Sequence, residues 1–416
     1  MVIRRPFRWV AMMLLCCTLL ITTVAAEELS LNQAVELALK NNPTIAADQL
    51  SADAAKHAAR GARALTNPEI SVAPSIIGDA GADSAVLFSQ PLELNGSRRV
   101  RGRIALNEAA AAGFDAASTR RDIVLRVNQS YWDVARAQEF VKLNQENIAY
   151  LESLNAAVQK QLDVGTVPGS QLIKTEVELA GARQELAQAK LELAQAKASM
   201  NALLNRPMDT DFAATGPLIF SDVTLDRNAI LASALTSRPE VSAATAQVAA
   251  ARTEIRAAKL RRAPDLAIQA RKETFDPGSD GGLALALLLP VLDWGSIKSD
   301  VKRAESAARS QEKQLEAVKN SVSLDVEQSI QLVNTSSQVV REYQGGILEK
   351  SEELADMARI GYEKGATGYL EVLEAQRTLR SAKTAYYSAL ANHAKSIAQL
   401  EWASGAANAG ITEVRK

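Results

Sequence analysis

The chain has 416 residues, with 47 lysines and arginines against 48 aspartates and glutamates, and a formal net charge of −1. Basic and acidic residues are interspersed and there is no polybasic tail, which argues against nucleic-acid binding. Aromatic residues make up only 4% of the chain, and alanine is abundant. This composition favours long, closely packed helices over a thick aromatic core.

Residues 1–26 have the pattern of a cleavable signal peptide. A basic segment precedes an apolar run over 9–24, and small residues end at Ala26. The run is shorter than the roughly 20 residues of a membrane-spanning helix, although a signal anchor is the alternative interpretation. Cys16 and Cys17 lie here without a lipoprotein box before them, so we expect no lipid anchor and no cysteine in the mature chain. Cleavage would remove three arginines and leave a formal charge of −4.

Two halves of the remaining chain resemble one another. Four landmarks recur in the same order, at separations of 196, 196, 199 and 200 residues. They are the pairs Pro43 and Pro239, Pro68 and Pro264, Pro91 and Pro290, and Gly165 and Gly365. Ordered matches at nearly constant spacing indicate an internal duplication, in which each half builds the same unit.

Each half is predicted to contain a helix broken early at proline, a β-hairpin, a long helix, a glycine turn and a return helix. For the first half, 27–215, the predicted bounds are helix 31–65, hairpin 68–93, long helix 97–164 and return helix 170–205. For the second half, 216–405, they are helix 225–260, hairpin 264–291, long helix 296–364 and return helix 369–404. The linker 208–224 is expected to be a loop, and 406–416 a loose tail.

The hairpins and helices have unusual dimensions. The alternating strands are about 8–10 residues, roughly the length of a tilted strand that crosses a bilayer, although a soluble hairpin is the alternative. Each long helix would measure about 100 Å, with Gly345-Gly346 as the weak point of the second. Heptads run from Leu172 to Leu203 and from Val372 to His393, which predicts coiled-coil packing.

Four membrane-length strands cannot close a barrel, and lipid does not tolerate open sheet edges. The sequence therefore predicts a mainly α-helical protomer with a transmembrane β part. Several copies would close side by side into a β-barrel that continues as a tube of coiled coils.

The chain resembles the TolC-like outer-membrane efflux proteins. The resemblance covers the duplicated halves, the segments Pro91–Ser97 and Pro290–Ser296, and the stretch Tyr362–Gln376. It implies a homotrimer with a 12-stranded barrel and a periplasmic α-barrel in a Gram-negative outer membrane. It also implies a periplasmic adaptor and an RND-type inner-membrane pump as partners. The segment Pro91–Arg103 is most similar to the cobalt–zinc–cadmium (CzcC-like) heavy-metal branch.

The resemblance assigns two groups of residues near the glycine turns. The adaptor-contacting tip would comprise Val164, Gly165, Thr166, Lys364, Gly365 and Ala366, of which Lys364 departs from the usual apolar residue. The periplasmic aperture would comprise Glu371, Glu374, Tyr362 and Gln171, where Gln171 replaces an acid. Three copies would place six carboxylates around the mouth, a ring that attracts cations. On the residues alone, the two glutamates are better interpreted as solvated helix-capping carboxylates, and it is the resemblance that favours the aperture.

No catalytic or cofactor motif is apparent, so the chain is not expected to be an enzyme or to need a cofactor. His57 and His393 are far apart, and Met200, Met208 and Met357 form no cluster. Arg98–Arg103 is expected at the periplasmic rim of the barrel, either snorkelling or paired with Glu93 and Glu108. The alternatives are the same duct serving drugs or a secreted protein, and a soluble periplasmic coiled-coil adaptor or scaffold.

Overall fold

The computed structural model describes residues 27–73, 85–273, 281–290, 292–405 and 411–413. The predicted signal peptide and most of the two predicted hairpin turns lie outside these residues. The first half contains β1 (Glu27–Leu29), α1 (Leu31–Asn41), α2 (Pro43–Ala62), β2 (Glu69–Ala73), β3 (Ala85–Pro91), α3 (Ser97–Asp163), α4 (Gly169–Leu203) and β4 (Phe212–Ala214). The second half contains β5 (Val223–Leu225), α5 (Arg227–Ser237), α6 (Pro239–Leu260), β6 (Asp265–Glu273), β7 (Gly281–Leu288), α7 (Ser296–Glu342), a π-helical turn (Tyr343–Ile347), α8 (Leu348–Glu363), α9 (Tyr369–Ser404) and β8 (Ile411–Glu413).

Both proline breaks are confirmed. α2 begins at Pro43 and α6 at Pro239, at the first helical position, where the missing N–H costs nothing. Asn42 caps α2 by accepting a bond from the Thr44 amide at 3.0 Å. Its side-chain nitrogen also donates to the carbonyl of Leu203 at 2.9 Å, which ties the start of the half to the end of its return helix.

Four strands form one antiparallel sheet in the order β2-β3-β6-β7, so the two hairpins join through β3 and β6. The register places most of the large apolar side chains on one face: Ile70, Val72, Val86, Phe88, Leu266, Ile268, Leu283, Leu285 and Leu287. Gln90 and Lys272 stand at the two ends of this face. The opposite face carries mainly small and polar residues: Ser71, Leu87, Ser89, Gln269, Arg271, Ala284 and Ala286.

The helices form a long layer that continues from the sheet. Near the sheet, α3 packs on α2 and α6, and α6 packs on α7. Farther away, α3 packs on α4 and α9, and α9 packs on α7 and α8. The layer therefore has two edges, formed by α2 and α4 on one side and by α7 and α8 on the other.

The predicted heptads lie on the packed side of the return helices. In α4, the heptad residues Thr175, Leu179, Ala182 and Ala189 are buried. In α9, Val372, Ala375, Ala382, Ala389 and His393 are buried. Alternating large and small residues let the helices approach closely, as knobs-into-holes packing requires.

Two loop predictions were wrong. The linker 208–224 contains β4, which pairs in parallel with β1, and begins β5. Residues 411–413 of the predicted loose tail form β8, which pairs with β5. Each of these strands has three residues and a partner about 185 residues away in sequence, so no local alternation reveals the pairing.

The two long helices differ. α3 runs unbroken over 67 residues, whereas the second is divided by the π-helical turn at the predicted weak point. Gly346 in that turn has φ 142°, a conformation suited only to glycine. Among the described residues, no helix combines the length and the apolar run that crossing a membrane requires.

Candidate functional site at the helical tip

The two glycine turns at the end of the helical layer have the same geometry. Gly165 and Gly365 adopt φ 75° and 74°, and their amides donate to the carbonyls of Leu162 and Tyr362 at 2.9 and 3.0 Å. This left-handed glycine is the usual way to end one helix and reverse the chain. The six residues of the predicted adaptor-contacting tip are all exposed: Val164, Gly165, Thr166, Lys364, Gly365 and Ala366.

Tyr362 connects the two halves of the tip. Its hydroxyl donates to Gln161 Oε1 at 2.8 Å and accepts from Gln171 Nε2 at 3.3 Å. The structure thus brings two of the predicted aperture residues, Tyr362 and Gln171, into contact. Gln161 was missed from the sequence, since it occupies the position that matches Gly361 and so shows no counterpart in the repeat.

A second tyrosine lies beneath this bond. The ring of Tyr369 meets that of Tyr362 edge-on at 6.4 Å, and its hydroxyl lies 2.7 Å from the hydroxyl of the fully buried Thr175. Burial raises the pKa of both phenols. Both hydroxyls therefore stay protonated as hydrogen-bond donors at neutral pH, and the two halves are joined without charge.

Glu371 and Glu374 lie on the exposed side of α9. A carboxylate oxygen of Glu371 accepts from the Gly368 amide at 3.2 Å, so this residue does cap its helix. The side chain of Glu374 has no hydrogen bond or ion pair with any described residue. Capping uses one oxygen of one glutamate, which leaves most of the acidic surface facing solvent.

Both glutamates border a groove of about 610 Å³ between α4 and α9. Ile173, Val177 and Leu370 form its exposed apolar lining, and Arg377 forms an ion pair with Glu178 across it. Lys174 also borders the groove, at the position that matches Glu374 in the repeat. The first half therefore offers a neutral and a basic residue where the second half offers two acids.

The sequence profile of the outer membrane efflux protein family matches residues 34–206 and 230–406. The chain belongs to this family. The family is one of passive outer-membrane channels and not of enzymes. Its channels are trimeric and work with adaptor and RND-type pump partners.

Named relatives cover most of the chain. The cobalt-zinc-cadmium resistance protein CzcC of Cupriavidus metallidurans is 28% identical over 377 residues, 88% of this chain and 87% of CzcC. The outer membrane protein TolC of Vibrio cholerae is 24% identical and covers 92% of this chain and 93% of TolC. In structure, CusC aligns with a TM-score of 0.76 at 19% identity, covering 90% of this chain and 92% of CusC. VceC of Vibrio cholerae also gives 0.76 at 19% identity, with coverages of 91% and 96%. The resemblance drawn from the sequence is confirmed.

The remaining candidate ligands lie away from the tip. His393 is buried, with Nε2 2.8 Å from the Ser221 carbonyl oxygen and Nδ1 3.1 Å from the Ser336 hydroxyl. His57 is exposed on α2. Among the residues that the structure describes, no three histidine, cysteine, aspartate or glutamate side chains are grouped so that they could hold a metal ion.

Proposed function

We propose that this chain forms a homotrimeric duct in the outer membrane of a Gram-negative bacterium and passes divalent heavy-metal cations outward. A periplasmic adaptor and an RND-type inner-membrane pump would load it. The observation that carries this proposal is the four-stranded sheet, which has one exposed apolar face and two open edges.

The apolar face of the sheet needs a non-aqueous partner. Leu283 and Leu285 are 80% and 66% exposed, and the described helices leave this face uncovered. A contiguous apolar surface of this kind is costly in water and suits lipid. This favours a membrane duct over the alternative of a soluble coiled-coil adaptor, because a soluble hairpin would cover or lack such a face.

The open edges require further copies. β2 and β7 each pair on one side only within the described sheet, and unpaired backbone groups are not tolerated in lipid. Joining β7 of one copy to β2 of the next is a head-to-tail contact that closes into a ring. Three copies give twelve strands, in keeping with the trimers of the family.

The helical layer carries matching exposed seams at its two edges. On α4, a second heptad series lies on the solvent side: Ile173, Val177, Ala180, Ala187, Leu191 and Ala194. On α7, the π-helical turn and α8, exposed apolar residues recur at Leu332, Val339, Ile347 and Leu354. Packing the first seam against the second in a neighbouring copy would extend the coiled-coil tube around the ring.

The proposed aperture lies where the three tips meet. Glu371 and Glu374 of each copy would contribute carboxylates to the mouth, and Lys174 would offset part of that charge. A ring of this kind concentrates cations at a constriction. The CzcC relative supports a heavy-metal cargo, while relatives such as the pyoverdine export protein OpmQ of Pseudomonas aeruginosa, 24% identical over 71% of this chain, keep other cargoes open.

Substitutions at two neighbouring positions on β7 test which face of the sheet contacts the membrane. Leu285→Arg places a charge on the apolar face, which costs about 2–4 kcal/mol at the bilayer midplane. Ala284→Arg places the same charge on the opposite face, where a water-filled lumen tolerates it. We expect Leu285→Arg to abolish the heat-modifiable trimer in outer-membrane fractions and Ala284→Arg to retain it. Equal recovery of both trimers would contradict the proposed orientation.

Cargo and aperture need separate experiments. A deletion strain should become sensitive to zinc, cadmium or cobalt, and sensitivity to drugs alone would shift the cargo to the alternative. In planar bilayers, Glu371→Ala combined with Glu374→Ala should raise single-channel conductance and weaken block by multivalent cations. Unchanged block would remove the aperture role from these two residues.

A further inference from the structure

A dense band of basic side chains lies at the base of the sheet. The four junctions between strands and helices span residues 60–69, 92–103, 259–265 and 292–303, and antiparallel pairing brings them to the same end. They contain twelve lysines and arginines and five acids. We call these twelve residues the basic collar. Because the whole chain is nearly neutral, the rest of it carries a net negative charge.

Part of the collar is neutralised within the protein. Arg101 pairs with both oxygens of Glu93 at 2.5 and 3.1 Å, as predicted, and donates to the carbonyl of Ala62 at 3.0 Å. The predicted pair with Glu108 is not formed among the described residues. Asp300 holds Arg261 and, at 3.6 Å, Arg303. These bonds fix the junctions between strand and helix.

Most of the collar has no such partner. Eight further members are exposed and form no ion pair within the described part of the chain: Arg60, Arg63, Arg99, Arg103, Lys259, Arg262, Lys298 and Lys302. Like charges held this close repel one another and attract anions. They are spread over all four junctions, so in a closed ring the positive charge would recur around the whole circumference.

Exposed apolar side chains stand in the same band. Leu94, Leu292 and Trp294 are 69%, 74% and 93% exposed. Trp294 adopts φ 45°, unusual for a residue other than glycine, and its ring projects almost wholly into solvent. Tryptophan is enriched where a membrane meets water, because its ring is amphipathic. Cations beside an exposed tryptophan match a layer of anionic lipid headgroups above acyl chains.

We propose that the basic collar binds anionic phospholipid headgroups of the periplasm-facing leaflet, with Trp294 held in the headgroup layer. This inference rests on the proposed function, which puts the sheet in the membrane. A lipid layer fits better than an acidic protein, because the charge adjoins the apolar sheet face and occurs at every junction instead of forming one patch. The collar would fix the depth of the duct and draw an anionic lipid shell around it.

Tryptophan quenching tests the proposal in the full-length protein. The purified protein is reconstituted in phosphatidylcholine vesicles that contain brominated phosphatidylcholine or brominated phosphatidylglycerol. Subtracting the signal of Trp294→Phe isolates this residue, since Trp132 on α3 lies about 50 Å farther along the helical layer and Trp402, which donates to Asp122 of α3, lies about 40 Å along it. At low salt we expect brominated phosphatidylglycerol to bind around Trp294 about fivefold more strongly than phosphatidylcholine. The ratio of the affinities of phosphatidylglycerol and phosphatidylcholine around Trp294 should fall towards one in about 1 M salt.

A matched pair of variants locates the effect. Lys298→Gln with Lys302→Gln removes two collar charges one and two turns from Trp294 and should abolish most of the preference. Arg183→Gln with Lys190→Gln removes two exposed charges from α4 and should leave it unchanged. Equal quenching by the two lipids at low salt would overturn the collar proposal while leaving the sheet in the membrane. No quenching by either lipid would overturn both the collar and the proposed membrane duct.

Discussion

The two halves of the chain differ most in their long helices. α3 is continuous, whereas its counterpart is interrupted by the π-helical turn Tyr343–Ile347. The counterpart is also one residue longer: Gly96 and Gly295 are 199 residues apart, but Gly165 and Gly365 are 200 apart. A π turn absorbs an extra residue inside a helix because its hydrogen bonds reach one residue farther. The second half therefore accommodates its insertion locally and keeps its tip level with the first.

The π turn keeps the exposed apolar seam of the second half aligned. Leu332 and Val339 are seven residues apart, Val339 and Ile347 eight, and Ile347 and Leu354 seven. In an unbroken α-helix one extra residue would rotate the later part of the seam by about 100°. The π turn takes up that rotation, so the apolar residues stay on one side. The irregularity keeps the proposed edge between copies continuous.

Breaking the π turn should have the largest effect. Gly346→Ala forces a side chain into a conformation near φ 142°, so we expect it to destabilise the protein by about 1–3 kcal/mol. Gly345→Ala is the control, because this residue has no positive φ and no atom within 4 Å of an added Cβ. It should stabilise by about 0.5–1 kcal/mol. Thermal unfolding followed by circular dichroism measures both, and a shift of the same sign in the two variants would contradict this account.

Removing the bond between the halves should have the next largest effect. Tyr362→Phe deletes the hydroxyl that binds Gln161 and Gln171, at a cost of about 0.5–1.5 kcal/mol. Because this bond joins α8 to α3 and α4, we expect a looser tip and a higher single-channel conductance. Tyr386→Phe is matched, since among the described residues its hydroxyl binds only Gln344 of the same half, at 3.1 Å. Similar conductance changes in both variants would deny Tyr362 a special role.

Making the mouth symmetric should have a smaller effect. Gln171→Glu with Lys174→Glu gives the first half the same acids as Glu371 and Glu374 in the second. Lys174 is exposed and Gln171 half-buried, and near the surface such charges are worth about 0.2–1 kcal/mol, so block by multivalent cations should tighten about two- to fivefold. Dose-dependent block in planar bilayers measures this, and a Gln171→Asn variant controls for changes in packing. Block no tighter than wild type would place these positions outside the ion path.

Much of this fold follows from sequence, because its signals are local. Pro43 and Pro239 end the preceding helices because proline has no amide hydrogen to donate. Gly165 and Gly365 reverse the chain because glycine tolerates a positive φ. The contacts between halves could not be predicted in the same way. Gln161 contacts Tyr362 only because helices that are distant in sequence fold side by side. Likewise, β5 pairs with β8, although most of the second half separates them in sequence. The sequence already placed the neutral Gln171 where an acid is usual, but Lys174, which matches Glu374 and adds a basic residue at the groove, was not predicted, since each copy of a repeat diverges by itself.

The smallest expected effect concerns His393, whose counterpart in the repeat is Leu193. A carbonyl oxygen only accepts, so Nε2–H donates to Ser221 and the unprotonated Nδ1 accepts from Ser336. The neutral ring thereby holds the linker segment 216–222 against α9, beside the ion pair of Asp222 with Arg341. Burial lowers the pKa of His393 below its usual value near 6.5. Protonation is thus disfavoured in the folded state.

The sign of the pH effect follows from that lowered pKa. The unfolded chain binds the proton more readily, so the contribution to stability is complete above about pH 6.5 and declines as the pH falls below it. Amides of 216–222 should therefore lose hydrogen-exchange protection between pH 7.5 and pH 5, after correction for intrinsic rates. The amides of β1 and β4 in the first half should keep their protection, because Leu193 stands there at the position that matches His393 and does not titrate. His393→Gln can still donate to Ser221 but does not titrate, so it should remove the pH dependence. If that variant kept the same dependence, another group would have to be responsible for loosening the linker.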